Sequence, residues 1–160
     1  MATTEPRRRT TADRIAAGFA RWVAGSSDKR LESVMRSPVR STMLNQIFRA
    51  MPAHLDRERA ASLNTVVEFR IGGRRGGGHD RYQVAFADGR CSTSKGGERK
   101  PAFALTVSGT SFLRLVAGSV TAMDLMGRGA LGVEGDITVG MQLMNVFRIP
   151  TPPSASATQA

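Results

Sequence analysis

An α+β domain, with one layer of helices on one sheet, is the fold class that the hydrophobic periodicity of this chain predicts. Apolar residues recur at helical spacing up to about residue 51. The period changes to two from residue 64, and strand and helix patterns then alternate to residue 148. A length of 160 residues suits one such domain, and 41% hydrophobic residues with a mean hydropathy of −0.21 are enough for a packed core.

Both ends differ from the middle. Residues 1–10 (MATTEPRRRT) are polar and basic, and residues 150–160 (PTPPSASATQA) are rich in Pro, Ser, Ala and Thr, so both read as disordered tails. Residues 11–24 place Ile15, Phe19, Trp22 and Val23 at i, i+4, i+7 and i+8, with Asp13, Arg14 and Arg21 elsewhere around the wheel. That is an amphipathic helix. A break at Gly25-Ser26-Ser27-Asp28 follows, and residues 11–39 read as this helix and a linker. Over residues 40–51, Met43, Leu44, Ile47, Phe48 and Met51 form one stripe. Pro52 ends it, because the residue before proline is pushed out of the α region. Asp56 is then the N-cap of a short helix over 57–62.

Residues 66–71 (VVEFRI) form a first strand, and GGRRGGG at 72–78 is its hairpin connection. Residues 81–87 return, Asp88-Gly89 makes a tight turn, and residues 90–94 are the third strand. Residues 103–107 (FALTV) are a fourth strand, followed by short helices over 110–117 and 121–127. A fifth strand at 130–134 leads through Gly135-Asp136 into an amphipathic helix over 137–148.

Composition excludes several functions. No stretch approaches the ~18 apolar residues of a membrane span. Arg7-Arg8-Arg9 is followed by Asp13 and Arg14, not by the apolar run of a secretory signal. The lone cysteine, Cys91, can form no internal disulfide, and with only His54 and His79 there is little material for a zinc site. A cytoplasmic protein without metal or cofactor, at most peripheral to a membrane, is expected. Lys and Arg exceed Asp and Glu by 23 to 13, a net charge of +10, which admits nucleic acid or an anionic membrane as partner. The charge is spread along the chain and no aromatics interleave with it, so nucleic acid ranks last and a solvated basic surface accounts for it as well.

GGRRGGG lacks the Gly-Lys-Ser/Thr ending of a phosphate loop and does not open a helix. No serine or cysteine stands with a histidine in a nucleophilic pattern. Asp124, between Met123 and Leu125-Met126, is either a carboxylate facing a cavity or the exposed side of its turn. The strongest signal is apolar: Met123, Met126, Met141 and Met144 fall beside Phe112, Leu115, Val116 and Leu143. Methionine adapts to varied apolar shapes, although such a stripe is also ordinary core.

Five segments in order carry a resemblance. They are Phe48-Arg49-Ala50-Met51-Pro52, the strand 64–69 (NTVVEF) with the turn Asp88-Gly89-Arg90-Cys91, the helix 111–118 (SFLRLVAG), the strand 129–136 (GALGVEGD), and Met141-Gln142-Leu143-Met144-Asn145. Together they resemble the sterol carrier protein 2 (SCP-2) domain, over about 100 of the 160 residues. The resemblance implies an SCP-2-like lipid-binding domain over 40–149. Its five-stranded, mostly antiparallel sheet would be covered by helices that enclose an apolar tunnel for fatty acid, fatty acyl-CoA, phospholipid or sterol. By position the lining would be Phe103, Leu105, Phe112, Leu115, Val116, Met123, Met126, Leu131, Val133, Met141 and Met144. Ser111 replaces the usual Asp, Ala122 the usual Pro, and Met144 a glutamine found in some members, which removes a polar contact for a head group.

Non-catalytic lipid binding and transfer is the function expected. The alternative is a tailoring enzyme or cyclase using the same cavity, with Asp124, Glu134 or Tyr82 as its polar groups. The apolar face of the helix over 11–24 needs a cover: an anionic bilayer reached through residues 7–24, its own domain, or a second copy in a homodimer.

Overall fold

The computed structural model describes residues 11–147. Helices α1 (Thr11–Ala24), α2 (Asp28–Met35) and α3 (Val39–Ala50) lead through a 3₁₀ turn (Met51–His54) to α4 (Arg57–Ala60). Strands β1 (Thr65–Gly72), β2 (Asp80–Ala87), β3 (Arg90–Lys95) and β4 (Phe103–Ser108) follow. After them come α5 (Gly109–Val116), α6 (Ala122–Gly127), β5 (Leu131–Gly135) and α7 (Ile137–Val146). The two expected tails lie outside the described residues, and the last helix, expected to reach Arg148, ends at Val146, with Phe147 extended and bridged to Leu55.

The sheet order is β3-β2-β1-β4-β5. β1 and β4 are parallel and the other neighbours antiparallel. Register puts Val67, Phe69 and Ile71 beside Val84 and Tyr82 on one side and Phe103, Leu105 and Val107 on the other, all on the face the helices cover. Leu131 and Val133 extend that face across β5. The opposite face carries Glu68, Arg70, Gln83 and Glu134. Glu68 is buried there, accepting from Arg70 Nε at 2.7 Å and Gln83 Nε2 at 3.2 Å, while Arg70 Nη1 reaches Glu134 at 2.8 Å. Those two carboxylates raise the Arg70 pKa.

Turn chemistry follows the sequence closely. Asp88 and Gly89 both have positive φ, as a two-residue hairpin with matching twist requires. Asp56 accepts from the amides of Glu58 and Arg59, and Asp136 from that of Thr138. Gly135 has φ of 97°, and a Cβ there would run into the carbonyl of Ala102.

An aromatic cluster fills the centre. Phe48 of α3 stacks on Tyr82 (centroids 4.1 Å apart, planes at 6°) and lies 5.5 Å from Phe112 of α5, with Phe69 edge-on at 5.4 Å. The Tyr82 hydroxyl donates to Asn45 Oδ1 at 2.7 Å, which satisfies its polar end. Burial raises the Tyr82 pKa.

One feature corrects the sequence reading of residues 11–39, and a second chooses among the covers it left open for α1. The expected linker contains a helix, α2, capped by Ser27 and burying Leu31 and Met35. Two turns give a weak periodic signal, and the Gly-Ser-Ser run before it reads as a break. In addition, α1 and α2 both pack on α5. Ala20 and Val23 are buried, Phe19 and Trp22 are half-buried against the core, and Ile15 stays 69% exposed. All of the apolar face of α1 except Ile15 therefore packs on its own domain. Arg114 of α5 locks the junction, donating from Nε to Asp28 Oδ1 at 2.9 Å and from Nη2 to the Ser26 carbonyl at 3.0 Å. Buried Arg40 ties α3 to the first hairpin. It donates to Asp80 Oδ2 at 2.8 Å, to the Ile71 carbonyl at 2.6 Å and to the Gly72 carbonyl at 2.9 Å.

Candidate functional site: an apolar surface at the β4–β5 end

At the β4–β5 end the helix layer thins to α6, which packs on β5, and α7, which packs on β4 and α4. The floor is Phe103 and Leu105, both buried. Gly140 lets α7 approach, since a Cβ there would lie 2.7 Å from the Phe103 ring. The inward face of α7 is Gly140, Leu143 and Val146, and Leu125 is the buried residue of α6. These choices decide the rest. A helix in a single layer has one inward face, so the positions flanking it point away.

The residues expected to line a tunnel are thus divided among three environments. Phe103 and Leu105 form the floor, and Phe112 is buried with Phe48 and Phe69 in the aromatic cluster. Leu115, Val116, Leu131 and Val133 are half-buried, packed on the core with one side open. Met123 (64% exposed), Met126 (43%), Met141 (64%) and Met144 (45%) are the exposed large apolar residues of α6 and α7, with Ile137. These exposures describe accessible apolar side chains on both helices. Ile137, 56% exposed at the start of α7, joins the exposed apolar residues of that helix. It directly follows the N-cap Asp136, in the first turn of the helix.

The polar candidates of the enzyme reading are engaged elsewhere. Asp124 completes a capping box with Thr121: its Oδ2 accepts the Thr121 amide at 3.1 Å, while Thr121 Oγ1 accepts the Asp124 amide at 3.1 Å. Those bonds hold the Asp124 pKa below the usual carboxylate value, the opposite of what a cavity-facing general acid needs. Glu134 pairs with Arg70 on the far face of the sheet, and Tyr82 bonds Asn45 in the core. Burial pushes the Cys91 thiol up to about 11, so it stays protonated and inert at neutral pH. Among the described residues, no group of three or more His, Cys, Asp and Glu stands where it could hold a metal ion. No described helix is long and apolar enough to cross a membrane.

The sequence matches the model of the SCP-2 sterol transfer family over residues 44–148, well over half of the chain. The chain belongs to this family. The match begins four residues before Phe48 and reaches past the last described residue. It leaves α1 and α2 outside the SCP-2 segment. No curated protein matches the chain. Among solved structures, it is similar to the crystal structure of sterol carrier protein 2 like 2 from Aedes aegypti, at 18% identity and a TM-score of 0.54, covering 67% of this chain and 94% of that one. The solution structure of palmitated SCP2L2 from Aedes aegypti matches at 17% identity and a TM-score of 0.52, over 63% of this chain and 90% of that one. The inverting sec-alkylsulfatase Pisa1 from Pseudomonas sp. contains a similar unit, at 11% identity and a TM-score of 0.59, with 71% of this chain covered but only 18% of that one. At these identities the likeness is one of fold. It fixes the SCP-2 architecture, a five-stranded mixed sheet under helices.

Proposed function

We propose that this protein binds a hydrophobic molecule without transforming it, on the apolar surface between α5, α6, β5 and α7, and transfers it. The observation that carries this reading is the exposure of Met123, Met126, Met141 and Met144 on helices that pack on β5 and β4, with Leu115, Val116, Leu131 and Val133 only half-buried. Large side chains of this kind are normally withdrawn from water, and a contiguous apolar surface marks a binding site. Unbranched methionine can close over chains of differing shape. Membership of the SCP-2 sterol transfer family, and a structural neighbour that is palmitated, support a fatty acid, fatty acyl-CoA, phospholipid or sterol-like ligand.

Burying ten methylenes is worth roughly 8 kcal/mol gross at ~0.8 per CH₂, which after the costs of association gives affinity near the micromolar range. That is tight enough to hold a lipid and loose enough to release it. Release is proposed to take place at an anionic membrane, approached by the polar side of α1, where Arg14 and Arg21 are exposed, and not by its buried face.

Native mass spectrometry of the purified protein, followed by extraction and displacement of a fluorescent fatty acid, tests the reading. One lipid per chain, and a probe affinity lowered about tenfold by Met141→Gln with Met144→Gln, are expected. A protein that carries no lipid and binds neither a fatty-acid nor a sterol probe would refute it.

A further inference from the structure

The lipid reading makes no use of the glycine-arginine hairpin. In the fold it carries Arg74 and Arg75 toward α2, where two open cavities of about 600 and 540 Å³ share Glu32 and Arg36 in their walls. Lys29, Arg36, Arg74, Arg75, Arg114 and Arg128 line the two recesses, opposed by two carboxylates, Asp28 and Glu32. Asp28 is already held by Arg114, with Nη2 at 2.7 Å from Oδ1. Arg74 comes only within 3.5 Å of Asp80, whose other oxygen is bound by buried Arg40. Arg36, Arg75 and Arg128 pair with no carboxylate among the described residues.

Cations gathered in a concave recess repel one another, and a cleft lined by one sign of charge concentrates the opposite ion. Five of the six cations are arginine, whose planar donor fork matches phosphate oxygens in pairs. A singly charged carboxylate would leave most of the surplus uncompensated, whereas a doubly or triply charged group would not. The second recess has room for more than a bare ion. A cavity of about 540 Å³ lies within the range of small-molecule sites, and Met35, Leu125 and Ala130 supply an apolar part of its wall.

We infer that this arginine-lined groove between α2, the β1–β2 hairpin and the α5–α6 edge binds a phosphate-bearing ligand through a phosphomonoester or diphosphate group. The group belongs either to a free metabolite or to the head of a lipid. Those sources share the recognition chemistry and separate by experiment. Pyrophosphate and phosphatidic acid with two six-carbon chains, each titrated calorimetrically into the full chain at low ionic strength, serve as the probes.

Arg36→Gln with Arg128→Gln removes two exposed arginines that no carboxylate holds, so the thermal melt should not move. The pair should weaken binding about tenfold. Arg49→Gln with Arg90→Gln removes the same charge from exposed positions outside the groove, and should change binding by less than about twofold. Arg75→Gln with Arg128→Gln is a second groove pair, should the first disturb folding. Pyrophosphate binding that obeys this pattern supports the site with a free phosphate as ligand. Obedience by the short phosphatidic acid alone supports it with a lipid head. Failure of both probes to bind, or equal weakening by groove and non-groove pairs, overturns the inference. Neither result depends on whether the apolar surface holds a lipid.

Discussion

The two ends of the helix-covered sheet face are built from the same alternation and end in opposite states. At the β1–β2 end, Phe69, Tyr82 and Val84 lie under α3 and α5, and Phe48 and Phe112 close over them with no side exposed. At the β4–β5 end, Phe103 and Leu105 are equally buried, yet Leu131 and Val133 beside them are half open and the methionines of α6 and α7 face water. The difference lies in the helices. Rigid aromatic rings fill a fixed space by stacking, whereas Gly140, Leu143, Val146 and Leu125 take the inward positions of two short helices and leave flexible side chains along the border. One end is a core, and the other has the composition of a core without its cover.

Breaking the closed end should cost most. Phe48→Ala removes the ring that touches Tyr82, Phe69 and Phe112, and is expected to lower stability by about 4 kcal/mol in denaturant unfolding. Arg40→Met leaves Asp80 with only the long Arg74 contact and strands the Ile71 and Gly72 carbonyls. A loss of about 3 kcal/mol is expected from the same measurement. At the open end, Met141→Gln with Met144→Gln should change stability by no more than about 0.5 kcal/mol, because both side chains already face water. A large destabilisation would mean that these methionines are core after all.

The smallest effect concerns pH. Cys91 has its pKa raised to about 11 by burial, so the unfolded chain gives up this proton before the folded one does. Its contribution to stability is complete below the ordinary thiol pKa and falls as pH rises toward 11. Unfolding of the protein and of Cys91→Ala across this window should show a slightly steeper alkaline decline for the former. Iodoacetamide should label Cys91 far faster in denaturant than in the native state.

Much of the fold was legible because its signals are local. The change of period at residue 64, Asp88-Gly89 as a hairpin turn, and Asp56 and Asp136 as helix caps each depend on a few neighbouring residues, and each stands as the sequence predicts. Two turns of α2 offered too little periodicity to read. The site was legible in composition but not in placement. Nothing in the spacing of Met123, Met126, Met141 and Met144 says which of two adjacent faces their helices turn inward. Asp124 had two readings in the sequence, and its bond partner, Thr121, chose between them.

The sequence by itself determined the order and type of most elements and the excess of apolar residues in the last third, since propensity, turn chemistry and periodicity act over a few residues. Tertiary structure alone decided that α1 and α2 cover α5, that Arg40 is buried against the first hairpin, that the methionines border an open surface, and that dispersed arginines meet in one groove. Those outcomes depend on which faces compete for a limited area of sheet, and that competition is between residues far apart in the chain.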